Sequence, residues 1–205
     1  MVFLQLKKFI DAAVTGKVIC GLDEVGRGPW AGPLVACALV LKKDLRFKGL
    51  KDSKKMTGPA REKIFKMLGK RADWGIGVAS VAEIDKLGLI KATNLAFNRA
   101  LSEMAGKKGS VRPDFLVVDG RDRLELPIPH KTVIKGDEKI KIIACASIVA
   151  KVVRDRMMRE MGLKWPGYGF EKHKGYGTAL HLEALKKHGP CELHRRSFRP
   201  VKEIL

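Results

Sequence analysis

The chain has 205 residues, of which 45% are apolar, and its 41 Lys and Arg residues against 22 Asp and Glu give a formal net charge of +19. This length and composition predict one folded domain, or one domain with a modest appendage, and exclude a disordered chain. The excess of positive charge indicates an anionic partner, either nucleic acid or an acidic membrane surface.

Hydropathy and cysteine usage indicate the compartment. No apolar run approaches the length needed to span a bilayer, and residues 1–10 lack the long apolar core of a signal peptide. The four cysteines lie far apart with no C-x-x-C pair, which favours reduced thiols over a zinc site or a disulfide framework. We therefore expect a cytoplasmic protein that does not act in a membrane.

Short apolar runs bounded by turn residues predict strands, and apolar residues at helical spacing predict helices. In chain order these are a helix over 2–15, strands over 18–23 and 34–42, a helix over 61–68, a strand over 74–81, a helix over 89–104, strands over 115–118 and 132–135, and helices over 140–161 and 178–188. Strands dominate the first two thirds and helices the last third. We therefore expect an α/β sheet domain with a helical C-terminal cap or subdomain.

The most basic stretch, residues 42–71, holds twelve Lys or Arg against three Asp or Glu. Thr57 or Gly58 can cap the helix predicted within it. Such a run can be solvated surface. It can also contact phosphates, with Ser53 and Lys54 next to an active-site wall. Both interpretations stay open from the sequence.

Two adjacent carboxylates, Asp23 and Glu24, end the first strand, and Gly26, Arg27 and Gly28 follow them. Carboxylates are the hard oxygen ligands that Mg²⁺ and Mn²⁺ prefer, and glycine lets the main chain approach a ligand closely. In a chain this basic, the combination indicates a metal site that faces a polyanion. The alternative is an ordinary strand-to-turn exit decorated with charge.

Asp119 and Asp137 repeat this design. Asp119 directly follows an apolar strand and precedes Gly120, and Asp137 also comes at the end of a short strand. The ends of parallel strands form the crevice in which ligands bind. Together with Asp23 and Glu24, these residues could supply a two-metal site, whose ions lie about 3.5–4 Å apart. Any one Asp alone could equally be a helix cap or a turn residue.

Seven motifs carry a resemblance to a known family. They are Gly21-x-Asp-Glu-x-Gly-Arg-Gly-Pro-x-x-Gly-Pro33, Asp52-Ser-Lys-Lys55, Val118-Asp-Gly120, Lys135-Gly-Asp137, Ala146-Ser-Ile-x-Ala-Lys151 with Arg154-Asp155, His173-Lys-Gly-Tyr-Gly177 and His194-Arg-Arg-Ser-Phe198. In identity and order they resemble ribonuclease HII, over about residues 18–200. The related ribonuclease HIII carries lysine between the two glycines and an extra N-terminal domain. Arg27, with only 22 residues before Asp23, favours HII.

The resemblance implies a ribonuclease H-like mixed sheet flanked by helices. It implies a catalytic domain over residues 1–160 and a helical substrate-binding cap over 161–205. The family's four metal-binding carboxylates, which hold Mg²⁺ or Mn²⁺, fall on Asp23, Glu24, Asp119 and Asp137. The expected substrate contacts are Gly26, Arg27, Gly28, Ser53, Lys54, Lys174 and Tyr176, of which Tyr176 reads the ribose.

The implied activity is endonucleolytic hydrolysis of the RNA strand of RNA–DNA hybrids. It includes incision 5′ of ribonucleotides embedded in duplex DNA, with 5′-phosphate and 3′-hydroxyl products. Two alternatives stay open: another nuclease of the ribonuclease H superfamily, such as a junction resolvase, and a non-catalytic protein that binds duplexes through its basic surface. Residues 201–205 lack a Gln-led aromatic motif, so we expect no sliding-clamp anchor there.

Two further expectations concern residues outside the metal site. Asp155 is expected to be a structural carboxylate, because Arg154, Arg156 and Arg159 offer ion-pair partners, with metal ligation as the alternative. The histidines show no metal-ligand spacing. Three of them are expected at the surface: His130, His181 and His188.

Overall fold

The computed structural model describes residues 16–42, 53 and 56–204. Five strands are described: β1 (Ile19–Val25), β2 (Leu34–Leu41), β3 (Ala72–Ala79), β4 (Phe115–Asp119) and β5 (His130–Val133). They form one sheet in the order β3-β2-β1-β4-β5. The helix predicted over 2–15 and much of the basic run 42–71, including Lys54, lie outside the described residues.

The sheet is mixed, as the resemblance implies. β1 pairs antiparallel with β2 and β2 antiparallel with β3, whereas β1–β4 and β4–β5 are parallel pairs. In the parallel register Leu22 lies beside Val118, and Asp119 lies beside Val133. The carboxyl ends of β1, β4 and β5 therefore reach the same edge of the sheet.

Helices cover both faces of the sheet. Among the described residues they are α1 (Gly58–Arg71), α2 (Val81–Leu87), α3 (Leu89–Ala105), α4 (Gly136–Lys139), α5 (Lys141–Lys164), α6 (Phe170–His173), α7 (Ala179–His188) and α8 (Val201–Ile204). Successive strand residues point to opposite faces, so Cys37 of β2 packs with α1 and α5, whereas Ala36 packs with α3. None of these helices is long and apolar enough to cross a membrane.

Two glycines allow helices to lie directly on the sheet. A Cβ on Gly77 of β3 would lie 1.8 Å from the Ala96 carbonyl oxygen of α3. A Cβ on Gly21 of β1 would lie 2.7 Å from the Ile142 carbonyl oxygen of α5. Both contacts are too close for any side chain, so glycine is required for this backbone approach. The second contact brings the first turns of α5 over β1, next to the end that carries Asp23.

Most predicted elements are confirmed, with two instructive differences. The strand predicted over 74–81 ends at Ala79, because Ser80 caps an unpredicted helix, α2. The Ser80 hydroxyl accepts from the Glu83 N–H, and the Glu83 carboxylate accepts from the Ser80 N–H, which is a capping box. The strand predicted over 132–135 lies two residues earlier, at His130–Val133, because Lys135 has a left-handed φ of 55° that turns the chain into α4.

The C-terminal segments form a separate apolar cluster. Tyr168, Phe170 and Leu193 pack there with Met158 of α5 and with Ala31 from the turn between β1 and β2. This packing places the segment after α6 directly against the turn that follows Asp23 and Glu24. The α5 helix runs unbroken through position 160, and the division into domains at that position stays a prediction.

Candidate metal centre and substrate cleft

Three of the carboxylates predicted as metal ligands come together at the carboxyl edge of the sheet. Asp23 lies on β1, Asp119 ends β4, and Asp137 lies in α4 after β5. One carboxylate oxygen from each lies within 4.8 Å of the others. Asp23 and Asp137 are each only 4% exposed. In the described part of the chain, no other group of three His, Cys, Asp or Glu residues has this metal-ligand proximity.

Backbone geometry explains why residues so distant in sequence meet. The parallel register of β1 and β4 places Asp23 and Asp119 at adjacent strand ends. The Asp119 carboxylate accepts a hydrogen bond of 2.6 Å from the Gly136 N–H, which holds the first turn of α4 against β4. Asp137 is the next residue in that turn. The hydrogen bond to Asp119 therefore fixes the position of the turn that carries Asp137.

The electrostatics of the cluster favour a bound cation. Burial, and then the charges of Glu24 and Asp119, raise the pKa of Asp23 well above its usual range, against a hydrogen bond from Ser147. Burial also raises the pKa of Glu24 to about 7, although Arg27 lowers it. Buried like charges are unfavourable unless a counter-charge compensates them. A set of hard carboxylate oxygens in this state fits a divalent cation such as Mg²⁺ or Mn²⁺.

Glu24 has a different environment from the three aspartates. Its N–H donates to the Asp23 carboxylate at 2.8 Å, which fixes the two residues relative to each other. Its own carboxylate lies 3.5 Å from Arg27 Nη1. The same guanidinium pairs with Asp122 in the loop after β4. Arg27, which is expected to contact substrate, thus also links Glu24 to that loop.

A cleft of about 620 Å³ opens beside the carboxylates. The predicted site residues that line it are Asp23, Glu24, Gly26, Arg27, Gly28, Ser53, Asp119 and Tyr176. Its other lining residues include Arg61 of α1 with Ser147 and Lys151 of α5, which the sequence did not single out as site residues. A carboxylate cluster beside a cleft with three cationic side chains can hold a metal ion and a phosphate together.

The α5 residues in the cleft could have been found from their spacing. Ser147, Lys151 and Asp155 are four residues apart, so they lie on one face of the helix. The Ser147 hydroxyl bonds to Asp23 and lies 2.9 Å from the Ser53 hydroxyl. Ser53 is only 3% exposed. Ser53 is therefore connected to the carboxylate cluster through Ser147.

Asp155 is a structural carboxylate, but not with the predicted partners. Its carboxylate lies 2.7 Å from Lys151 Nζ and 3.7 Å from Arg61 Nη2. Arg156 instead pairs with Glu62 of α1. The prediction that Arg154, Arg156 or Arg159 pairs with Asp155 is wrong. Arg154 and Arg156 are adjacent to Asp155 in the helix and point in other directions, and the Asp155 carboxylate lies against Lys151, one turn earlier, and Arg61. Asp155 therefore holds two of the three cationic side chains that line the cleft.

The two glycines beside Arg27 have different surroundings. Gly26 is buried with a φ of 99°, and a Cβ there would lie 2.4 Å from Arg154 Nε. Gly28 is exposed, and a Cβ there would meet nothing within 4 Å. Glycine at position 26 is explained by chain conformation and packing. The backbone at Gly28 is the part of this turn that is open to a ligand.

Two fully buried arginines hold the turn by donating to main-chain carbonyls. Arg195 donates to the Gly26 carbonyl at 2.6 Å and to the Arg27 carbonyl at 3.0 Å. Arg154 donates to the Pro33 carbonyl at 2.9 Å. Arg154 also donates to the Lys174 carbonyl at 3.0 Å, next to the segment that carries Tyr176. The buried guanidinium of Arg154 therefore bonds both to the turn after β1 and to the segment that carries Tyr176.

The predicted exposure of Tyr176 is confirmed, at 39% of its surface. Its ring centroid lies 5.8 Å from Lys151 Nζ. The flanking glycines have a packing reason as well. A Cβ on Gly175 would lie 2.2 Å from the Ala31 carbonyl oxygen, and one on Gly177 would lie 2.2 Å from the Trp30 ring. The Tyr176 segment is thus pressed against the turn after β1.

Two residues of this region have surroundings that the sequence does not indicate. Lys174 is half-buried, is not among the residues that line the cleft, and donates from its ammonium to the Glu171 carbonyl, and its contact with substrate stays a prediction. His181 was expected at the surface and is fully buried. The prediction for His181 is wrong because α7 packs this face against Trp30 and Phe170.

Comparison with known proteins shows the family to which the chain belongs. The family model described as Ribonuclease HII matches residues 20–201. The chain belongs to the ribonuclease HII family. A ribonuclease HII from Chlamydia caviae is 50% identical over 192 residues, which are 92% of this chain and 87% of that protein.

Solved structures agree with the α/β fold. The ribonuclease H2 from Pyrococcus horikoshii has a TM-score of 0.72 and 27% identity, over 91% of this chain and 96% of that one. The ribonuclease HII of Archaeoglobus fulgidus, solved in complex with PCNA, has a TM-score of 0.75 and 23% identity, over 89% of this chain and 95% of that one. The ribonuclease H-like mixed sheet predicted from the motifs is therefore confirmed.

Proposed function

We propose that this protein is a metal-dependent endonuclease that hydrolyses the RNA strand of RNA–DNA hybrids and incises 5′ of ribonucleotides embedded in duplex DNA. The products carry 5′-phosphate and 3′-hydroxyl ends. The observation that carries the proposal is the set of three carboxylates, with one oxygen from each within 4.8 Å of the others, beside a cleft that three cationic side chains also line. Membership of the ribonuclease HII family supports the substrate class.

Asp23, Asp119 and Asp137 would hold the metal, and Glu24 would contribute from the cleft side. Mg²⁺ and Mn²⁺ suit a donor set made of carboxylate oxygens. When bound, such ions polarise the scissile phosphate and lower the pKa of the attacking water. The protein itself orients two of these carboxylates by hydrogen bonds. Ser147 does this through its hydrogen bond to Asp23, and Gly136 through its bond to Asp119.

The cations of the cleft would hold the substrate backbone. Lys151 and Arg61 line the cleft together with Arg27, and both lie against the Asp155 carboxylate. Contacts of this kind position a duplex without reading its sequence. Binding should therefore weaken with salt for every duplex, hybrid or not.

Discrimination between RNA and DNA needs a group that contacts the 2′-hydroxyl, which both donates and accepts hydrogen bonds. Tyr176 presents a phenol on the cleft wall. The open backbone at Gly28 lies on the same cleft. We assign the ribose contact to these two residues, and we assign the packing of the neighbouring sugar to the Tyr176 ring.

The test uses three duplexes of one sequence: all DNA, DNA with one internal ribonucleotide, and a continuous RNA–DNA hybrid. We expect Mg²⁺ or Mn²⁺ to support a single cut on the 5′ side of the lone ribonucleotide and multiple cuts in the hybrid. We expect chelator to abolish both and the DNA duplex to stay intact. Binding of all three duplexes without cleavage in either metal would instead indicate a non-catalytic binder. Cleavage of the DNA duplex would indicate another nuclease of the superfamily.

A further inference from the structure

Three imidazoles that take no part in the cleft lie behind the Tyr176 segment. His181 and His194 are 0% and 1% exposed, and His173 is half-buried. The rings of His173 and His181 stack with centroids 4.3 Å apart, and the rings of His181 and His194 lie 5.2 Å apart. Buried imidazoles need hydrogen-bond partners for both ring nitrogens, so the partners reveal what the cluster holds.

The hydrogen bonds fix the proton on each ring of the His194–His181 pair. The Cys191 N–H donates to His194 Nδ1 at 3.0 Å, so that nitrogen accepts and the His194 proton is on Nε2. His194 Nε2 lies 3.1 Å from His181 Nε2, which must therefore accept. The His181 proton is then on Nδ1, which donates to the Tyr176 carbonyl at 2.9 Å. Only neutral rings in these tautomers satisfy all three bonds.

His173 supports the same segment from the other side. The Gly175 N–H donates to His173 Nδ1 at 3.1 Å, so the His173 proton is on Nε2 and donates to the Tyr168 carbonyl at 2.7 Å. The backbone on both sides of the Gly175–Tyr176 peptide bond is thus bonded to an imidazole. The Gly175 carbonyl in turn accepts from the Trp30 N–H at 2.8 Å.

The side chain of Tyr176 has no comparable support. It is 39% exposed, and its described ring contacts are cations 5.8 Å away, Lys151 and Arg154. The direction in which the phenol enters the cleft therefore depends on the placement of the Tyr176 backbone. The Tyr176 carbonyl accepts two hydrogen bonds, one from the Thr178 N–H and one from His181. Of these two donors, only His181 belongs to a side chain.

We propose that His181 is a positioning residue for ribonucleotide recognition: its Nδ1–H fixes the Tyr176 carbonyl and so aims the phenol into the cleft, and His194 fixes the His181 tautomer. The inference rests on the proposed function, in which Tyr176 contacts the ribose. Burial lowers the pKa of both His181 and His194 to about 4, which keeps the two rings neutral at neutral pH. In the series of hydrogen bonds from Cys191 through His194 and His181 to Tyr176, each group therefore donates to the next one.

The first experiment measures the tautomers by imidazole ¹⁵N shifts in the full-length wild-type protein. We expect His181 as the Nδ1–H tautomer and His194 and His173 as Nε2–H tautomers at neutral pH. The Nε2–H tautomer at His181 would overturn the proposal, because its Nδ1 could not donate to Tyr176. This measurement needs no variant to fold and no assumption about what Tyr176 contacts.

The second experiment compares His181→Leu, which removes the donor, with His181→Asn, whose amide nitrogen can occupy the Nδ1 position. The loss of one hydrogen bond to a backbone carbonyl predicts a decrease of roughly tenfold in kcat/KM on the single-ribonucleotide duplex for His181→Leu. His181→Asn should recover most of this loss. The matched control is His188→Leu, at an exposed histidine of the same helix, which should retain wild-type rates. No recovery by Asn with equal folding would overturn the proposal.

A double-mutant cycle separates positioning from a general structural role. In a Tyr176→Ala background, His181→Leu should cost nothing further, because the phenol that it positions is absent. Additive losses would overturn the positioning role and leave the function of Tyr176 intact. A Tyr176→Ala variant with wild-type rates on every substrate would overturn the ribose contact itself and the proposal with it. The two failures are therefore distinguishable.

Discussion

The Gly136 N–H donates to the Asp119 carboxylate at 2.6 Å and so joins the end of β4 to the first turn of α4. Because Asp137 is the next residue of that turn, the bond lets one proposed metal ligand, Asp119, hold another, Asp137, in position. Asparagine at position 119 keeps the oxygen that accepts this bond. Substitution of Asp119 by asparagine can therefore remove charge from the site without removing the contact that shapes it.

Asp119→Asn should abolish cleavage and leave hybrid binding near the wild-type level. We expect the rate to fall by more than about 100-fold, since even the partners of metal ligands are worth 10–100-fold in activity. The matched control is Asp114→Asn, which lies at the other end of β4 and bonds to the Val18 N–H. Single-turnover cleavage and hybrid affinity check both variants. More than a small fraction of wild-type turnover at saturating metal would remove Asp119 from the metal site.

Asp23→Asn should stabilise the protein in chelator while it abolishes cleavage. Burial and the charges of Glu24 and Asp119 raise the pKa of Asp23, so folding disfavours its ionised form. An amide removes this cost and can still bond to Ser147. We expect the Tm in chelator to rise by about 2–4 °C, as for a gain near 1 kcal/mol in a chain of this size. A Tm below that of the wild type in chelator would show that the carboxylate cluster is not electrostatically strained.

Asp23 and Asp119 could be placed together from the sequence because each comes at the end of an apolar run, and the carboxyl ends of parallel strands meet at one edge of a sheet. The supporting polar residues could not be predicted in the same way. His181 lies on a short helix whose alternation of apolar and polar residues suggests exposure. Its burial depends on Trp30, which is 151 positions earlier in the chain. A contact between residues so far apart in the sequence produces no local periodicity, so the burial of His181 could not be predicted.

Lys151 is an intermediate case. Its spacing from Ser147 and Asp155 marks a polar face on α5, although the helix is otherwise so deeply buried that its periodicity is weak. That face points to the cleft only because Gly21 lets α5 lie close over β1. The sequence therefore predicts a polar face on α5, whereas the packing of α5 on the sheet is needed to show that this face lines the cleft.

Lys151→Gln should lower the salt dependence of duplex binding. A lysine that contacts one phosphate contributes about one unit to the slope of log K against log salt, and Lys151 lines the cleft. Asp155 keeps Arg61 as a partner in this variant, so we expect α5 to stay in place. Lys107→Gln is the control, because Lys107 bonds to Trp74 and Glu103 outside the cleft. An unchanged slope for Lys151→Gln would show that Lys151 only supports Asp155.

Stability should fall between pH 6.5 and 4 through the buried histidines. Burial lowers the pKa of His181 and His194 to about 4 in the folded protein, whereas an unfolded histidine has a pKa near 6.5. The unfolded chain therefore binds more protons in this window, and the free energy of unfolding decreases as the pH falls. The groups that face this pair are His173, Tyr168 and Cys191.

Urea unfolding of the wild type and His181→Leu at pH values from 4 to 7 measures this effect. The variant should lose less stability than the wild type as the pH decreases, because one of the two shifted groups is gone. His188→Leu, on the exposed side of the same helix, should show the wild-type slope. Parallel curves for wild type and His181→Leu would show that His181 has the same proton affinity in both states.

Tyr176→Phe should reduce cleavage at a single embedded ribonucleotide more than cleavage of a continuous hybrid. The variant keeps the ring on the cleft wall and removes the hydroxyl that we assign to the ribose. At a lone ribonucleotide there is one 2′-hydroxyl to contact, whereas a hybrid offers alternative registers along its RNA strand. Tyr176→Ala should cost more on both substrates, because it also removes the ring beside Lys151. The ratio of kcat/KM on the two duplexes is the quantity to measure. Equal rates for wild type and Tyr176→Ala on the single-ribonucleotide duplex would remove Tyr176 from the site, and would leave the open backbone at Gly28 as the ribose contact.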